Sequence, residues 1–262
     1  MFITRLLSGI ILVAIALASI TKGGIILAAL LLFLSIMGMR EFYKAARVTK
    51  QLTLMELVSY IGAGAYFAVL YFNLQKFMMM TIVAVFLALM VIYVVSYPNI
   101  KNREVTVHFF GFFYVAVMLG FMYMTRCRFK GAIEVWLIFL SSWGADTCAY
   151  CVGMLFGKHK MTPVLSPKKS VEGAIGGVVG AALLAMIYAI IFKQPIVLYM
   201  VIAAIAAVVS IFGDLAASAV KRQYNIKDYG KLIPGHGGVL DRFDSVIFTA
   251  PIIYYCSVLL LG

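Results

Sequence analysis

Charge is what this chain of 262 residues has least of, at 12% Asp, Glu, Lys and Arg, about half the share of an ordinary soluble domain. Such a chain is not a cytosolic globule, and with 64% hydrophobic side chains it is not a disordered tail either. Cysteine is scarce: the four present are too few to staple a chain this long, which excludes a disulfide scaffold. No G-x-S-x-G, Walker A or H-E-x-x-H pattern occurs, and with them go the hydrolase, P-loop and zinc-protease readings. Acidic residues are rare, 10 against 22 Lys and Arg. Every Asp (Asp146, Asp214, Asp228, Asp241, Asp244) lies in the second half, whereas the first 140 residues hold only Glu41, Glu56, Glu104 and Glu134. Function is therefore expected after residue 140.

What is present in quantity is apolar sequence, with a mean hydropathy of +1.04. A membrane-spanning helix takes about 20 apolar residues. Runs at about 4–21, 24–39, 54–74, 78–97, 106–125, 132–152, 173–192, 195–217 and 245–261 predict an all-α, polytopic membrane protein with about nine spans. The first run lacks a small-residue cleavage site and a second run follows closely, so it reads as a retained helix. The formal charge of +12 would suggest nucleic acid in a soluble protein; here basic residues flanking spans are a matter of topology, and no nucleic-acid partner is expected. Alternating spans place Arg5, the Arg40/Lys44/Arg47/Lys50 group, Lys101, Arg103 and the 158–172 and 221–242 loops on one side. That side is cytoplasmic by the positive-inside rule, with the N-terminus in and the C-terminus out. Residues 1–130 read as a five-span scaffold, where the Met78–Met80 run faces lipid or packs helices and Gly62 and Gly64 allow close helix approach. Residues 131–262 read as the catalytic region.

Ionisable groups in apolar spans mark sites by default. Asp214, Ser218 and Lys221 fall at i, i+4 and i+7 and share a helix face, followed by Arg222; a plain pairing of Asp214 with Lys221 or Arg222 at the interface is the alternative. In Lys227–Ser245, Pro234, Gly235, Gly237 and Gly238 let backbone N–H groups approach an anion just before a helix that opens near Val239, so phosphate is the expected guest. Asp241 and Asp244 share a face of that helix. Clustered carboxylates in a chain so poor in acids call for a cation, and Mg²⁺ suits an all-oxygen site completed by phosphates; stabilising the helix dipole is the alternative. Asp146 lies inside a span on its cytoplasmic half. Downstream, Lys158, Lys160, Lys168 and Lys169 with Ser166 and Ser170 make a polyphosphate-binding set or a plain positive-inside loop. Ser170 also suits the cap of the next helix and Gly173 close packing. His236, between glycines, reads as a proton shuttle, a phosphate donor or a loop-ordering group. Cys148-x-x-Cys151 lacks a second pair and reads as packing.

The run Ser218-x-Val220-Lys221-Arg222-x4-Lys227-Asp228-x-Gly230-x2-Ile233-Pro234-x-His236-Gly237-Gly238-x2-Asp241-Arg242-x-Asp244 resembles the signature of the phosphatidate cytidylyltransferases, or CDP-diglyceride synthetases. Ser166-Pro167-Lys168-Lys169-Ser170-x-Glu172-Gly173 and Asp146 with Ala149-Tyr150 extend the resemblance over about residues 141–250. It implies a Mg²⁺-dependent membrane enzyme, with one metal or two, that joins CTP to phosphatidic acid and releases CDP-diacylglycerol and pyrophosphate. It also implies a homodimer, and a short chain of this kind suggests a bacterial inner membrane. On this reading Asp214, Asp241 and Asp244 hold metal, with Ser218 completing the shell. Lys168, Lys169, Lys221 and Arg222 neutralise the phosphates, and Asp146 supports a lysine or the metal. Ser166, Ser170, Lys227, Asp228, His236, Gly237, Gly238 and Arg242 complete the substrate-binding set. The rival readings are a CTP-dependent polyprenol kinase, which releases CDP, and a transporter of an anionic lipid or nucleotide, which consumes nothing.

Overall fold

The computed structural model describes residues 2–48, 53–230 and 237–261. Among them the chain forms nine long helices: α1 (Phe2–Lys22), α2 (Gly24–Ala45), α3 (Leu54–Tyr71), α4 (Gln75–Val95), α5 (Asn102–Arg126), α6 (Gly131–Phe156), α7 (Val171–Ile191), α8 (Ile196–Gln223) and α9 (Leu240–Leu260). The eight from α2 on are long and apolar enough to cross a membrane, which makes the chain an integral membrane protein; of α1, the stretch Val13–Lys22 is apolar.

Each expected run has its helix, but several helices overrun it. The run ending at 39 continues to Ala45 through Arg40, Glu41 and Lys44, and the run opening at 245 is preceded by a turn containing Asp241 and Asp244. Hydropathy marks the hydrocarbon slab, and backbone hydrogen bonding carries a helix beyond it into the headgroup layer.

Two helices change winding along their length. α5 is π-helical over Phe112–Val117 and α6 over Leu140–Gly144. A π turn adds a residue and re-aims the side chains after it; in α6 it lies immediately before Asp146. The polar stretch after α6, expected as a loop, contains an antiparallel hairpin, β1 (Lys160–Thr162) with β2 (Ser166–Ser170), in which Lys160 opposes Ser170 and Thr162 opposes Ser166.

The chain divides into two compact units. The first comprises the residues to Tyr123 together with Ile226–Asp241, the second Met124–Asn225 and Arg242–Gly262. The signature is thereby divided: Ile226–Asp241 joins the first unit, and its two ends lie in the second. In that unit Gly62 admits Val85, whose Cγ2 lies 2.3 Å from where a Cβ would be, whereas Gly64 has nothing within 4 Å; of the two glycines, Gly62 is the close-approach site. Tyr43, Tyr66, Phe112 and Leu89 are fully buried, and α4 presents Met79 and Met80 outward as lipid-facing groups. In the second unit α6 and α7 meet along small residues. A Cβ at Gly177 would come within 2.9 Å of the Ala145 carbonyl, and one at Gly180 within 2.5 Å of Cys148. Cys148 is a packing residue, and all four cysteines are free thiols.

Candidate functional site

The second unit builds a cavity of about 430 Å³ where α6, α7 and α8 meet the hairpin. Asp146 reaches it from α6, Lys168 and Lys169 from β2, Ser170 from the start of α7 and Asp214 from α8. Tyr150, Met154, Met161 and Ile211 add apolar lining. Lys169 Nζ forms an ion pair with Asp214 Oδ2, so two residues expected to serve phosphate and metal hold each other here. Asp146 interacts electrostatically with both members of that pair. Asp244 is buried, accepts a 2.8 Å hydrogen bond from the Ser245 N–H, and interacts electrostatically with Asp214, Asp146 and Lys221. Three carboxylates therefore interact electrostatically in this unit, with Lys169 and Lys221 among their partners. Among the described residues no group of three His, Cys, Asp or Glu side chains is gathered closely enough to hold a metal ion outright.

Local interactions hold the hairpin in place. Ser170 caps α7, its hydroxyl accepting from the Gly173 N–H at 3.1 Å, as expected from the sequence. Glu172, in the first turn of α7, accepts from the backbone N–H groups of Lys158 and His159 at 3.1 and 3.2 Å and pairs with His159 Nδ1 at 2.6 Å. A Cβ at Gly157 would lie 2.2 Å from the Gly153 carbonyl and 2.7 Å from Ser170 Oγ, so the chain passes this close to the cap only as glycine. Ser166 is half-buried in β2; Ser218 and Lys221 are half-buried on α8, and Arg222 is exposed at its end. The Arg242 carbonyl accepts from Trp143 Nε1 at 3.2 Å, which ties the start of α9 to the π-wound part of α6.

The rest of the signature is in the first unit. Lys227 and Asp228 are exposed. Asp241 Oδ2 accepts from the Tyr229 N–H at 2.8 Å and the Gly238 N–H at 3.0 Å, so this carboxylate organises the loop that precedes its own helix. Gly237 has φ of +91°, a conformation that favours glycine, and sits against Asp241. His236 lies outside the described residues.

At the start of α9 two backbone N–H groups are taken by a carboxylate of the protein. Glu41, buried near the end of α2, accepts from the Val239 N–H at 3.1 Å and the Leu240 N–H at 2.9 Å. Glu41 was not among the expected site residues. The available signal was an acidic residue in a long apolar helix, obscured by Arg40 and Lys44 beside it, which make the segment look like an ordinary interfacial turn.

A helical membrane protein with lysines and carboxylates around a partly apolar cavity has a lining suited to phosphate groups at a lipid boundary. Comparison with known proteins gives its family. The cytidylyltransferase family model matches residues 3–260. A phosphatidate cytidylyltransferase of Staphylococcus saprophyticus is 31% identical over 261 residues, covering 95% of this chain and 96% of its own. One from Staphylococcus aureus is 30% identical with the same coverage. One from Staphylococcus haemolyticus is 39% identical over 139 residues, 52% of this chain and 54% of its own. The chain belongs to the cytidylyltransferase family.

Proposed function

We propose that this protein is a phosphatidate cytidylyltransferase, making CDP-diacylglycerol and pyrophosphate from CTP and phosphatidic acid. The observation that carries the reading is the cavity: Lys168, Lys169, Asp146 and Asp214 line it together with the apolar side chains of Met154, Met161 and Ile211, a mixed lining that suits a phosphate joined to acyl chains. An oxygen of the lipid phosphate attacks the α-phosphorus of CTP. The bond from that phosphorus to the bridging oxygen of the β-phosphate breaks, and pyrophosphate leaves with the electron pair. The nucleophile belongs to the substrate, so the protein supplies alignment and charge compensation. Lys168, exposed on β2, and Lys169 meet phosphate oxygens, and Lys221 and Arg222 add positive charge from the end of α8.

Asp214 and Asp244 are the proposed oxygen donors for Mg²⁺ in the second unit, with Asp146 beside them and Ser218 one turn after Asp214. Asp241 opens the same helix as Asp244, one turn earlier, and shares Oδ2 with two loop amides. Bound Mg²⁺ neutralises the triphosphate and the departing pyrophosphate. Lys169 and Asp214 pair with each other; in the reaction Lys169 would meet phosphate oxygens and Asp214 would hold Mg²⁺. The N-terminus and the site face the cytoplasm, the C-terminus lies outside, the membrane is a bacterial inner membrane and the working form is a homodimer.

The test is to incubate detergent-purified protein with phosphatidic acid, Mg²⁺ and CTP labelled at the α-phosphorus, and to follow label into the chloroform phase. Label in lipid, abolished by EDTA and in Asp241→Asn, is the expected result. Consumption of CTP with release of CDP would point instead to a lipid kinase, and binding without consumption to a transporter.

A further inference from the structure

We infer that Glu41 is a positioning residue of the reaction: its carboxylate is a fixed anion that clamps the signature loop, and Gly230 and Gly238 are glycines because they receive it. The inference rests on the reading of the chain as a cytidylyltransferase whose signature loop takes part in the reaction. It comes from a helix of the scaffold, far from every motif that marks the family.

Glu41 is 9% exposed, and a buried carboxylate is stable only when it is well hydrogen-bonded. It finds its donors at the start of α9, where the first backbone N–H groups of a helix lack partners and the helix dipole favours negative charge. The bonds from Val239 and Leu240, one to each carboxylate oxygen, are the two-pronged contact a phosphate would otherwise make.

The glycines fit this account closely. A Cβ at Gly230 would lie 2.3 Å from Glu41 Oε1, and one at Gly238 2.4 Å from Oε2. For both positions the three nearest atoms all belong to Glu41. The loop therefore approaches the carboxylate from two sides at distances only glycine permits. Asp241 closes the arrangement by accepting from Tyr229 and Gly238. Two carboxylates thus hold four amides of the loop, one from α2 and one from α9, and Glu41 lies within electrostatic reach of Asp241 and of Lys44. The Val239 and Leu240 N–H groups are thereby engaged by the protein's own carboxylate.

The experiment compares the full-length wild type with Glu41→Ala, Glu41→Gln, Gly238→Ala and the double variant Glu41→Ala/Gly238→Ala. It reads turnover of labelled CTP into lipid, amide hydrogen exchange of peptides covering 237–241, and melting temperature in detergent. Glu41→Ala is expected to lower kcat about tenfold or more while leaving KM for CTP within about twofold, and to speed exchange at Val239 and Leu240. Glu41→Gln, which keeps one accepting oxygen, should fall between it and the wild type, and it carries the test if the alanine variant does not fold. Gly238→Ala should be impaired in the presence of Glu41, and the double variant should be no worse than Glu41→Ala alone, because the obstructing carboxylate is gone. Unchanged kcat and protection in Glu41→Ala, or a double variant that loses the product of the two single effects, would overturn the inference. So would a loss of kcat that only parallels a fall in melting temperature across all variants. A wild type that makes no CDP-diacylglycerol would sink the functional reading, while the exchange data would still decide the contact.

Discussion

Asp214 stands alone in the apolar run of α8, and the price of a charge in such a place made it visible without any structure. Its partner Lys169 follows from the same logic applied to the hairpin, yet their ion pair does not, because no spacing rule links positions 169 and 214. Asp214→Asn is expected to lower kcat by roughly 10²–10³. The melting temperature should hardly move, since an ion pair whose side chains are 27% exposed contributes at most about 1 kcal/mol. A comparison of initial rates with a detergent melting curve checks both halves. Ser170→Ala should do the reverse and cost stability, about 1 kcal/mol for the lost cap, visible as a lower melting point. Glu41 shows where reading residues one at a time fails. Its neighbours Arg40 and Lys44 are ordinary for a span end, and its hydrogen-bond donors lie 198 and 199 positions further on.

At the scale of elements, helices were legible because a bilayer forces a long apolar run into one backbone solution, with every amide satisfied inside the segment. Helix ends were less so, since polar turns continue past the slab. The two π-wound stretches had no signal, because one inserted residue shifts a helix face without changing composition, and neither did the β1–β2 hairpin, which is too short and too polar to show alternation. Gly62 and Gly64 looked alike in sequence and are not alike in place. Gly62→Ala pushes a methyl group against Val85 and should destabilise the protein by about 1–3 kcal/mol; Gly64→Ala, in open space, should be silent in the same melting assay. For the hairpin, Glu172→Ala removes the acceptor of the Lys158 and His159 amides, and a several-fold rise in KM for CTP with little change in kcat is the expected kinetic outcome.

For the whole molecule, the distribution of basic residues predicts sidedness, and the four native thiols provide a probe. Cys127 is exposed in the connection between α5 and α6, on the side expected to face out. A membrane-impermeant maleimide added to intact cells should label it, with Cys127→Ser as the blank. A cysteine placed at Lys168 in a background lacking the native thiols should react only after the cells are opened. Labelling in the opposite order would invert the topology. The division into units was the least legible feature of all, since nothing local says that Ile226–Asp241 belongs with helices made at the start of the chain.

That return of a late segment to an early helix has a consequence for how the protein is made. Glu41 leaves the ribosome 198 residues before Val239, its first amide donor, an interval of roughly 10–40 s at ordinary elongation rates. Throughout it the nascent chain carries a carboxylate at the membrane boundary without the donors it will finally have. A chain terminated before residue 239 never acquires them. The acidic side chain near the end of the second span therefore has its two amide donors only once the last helix has been made.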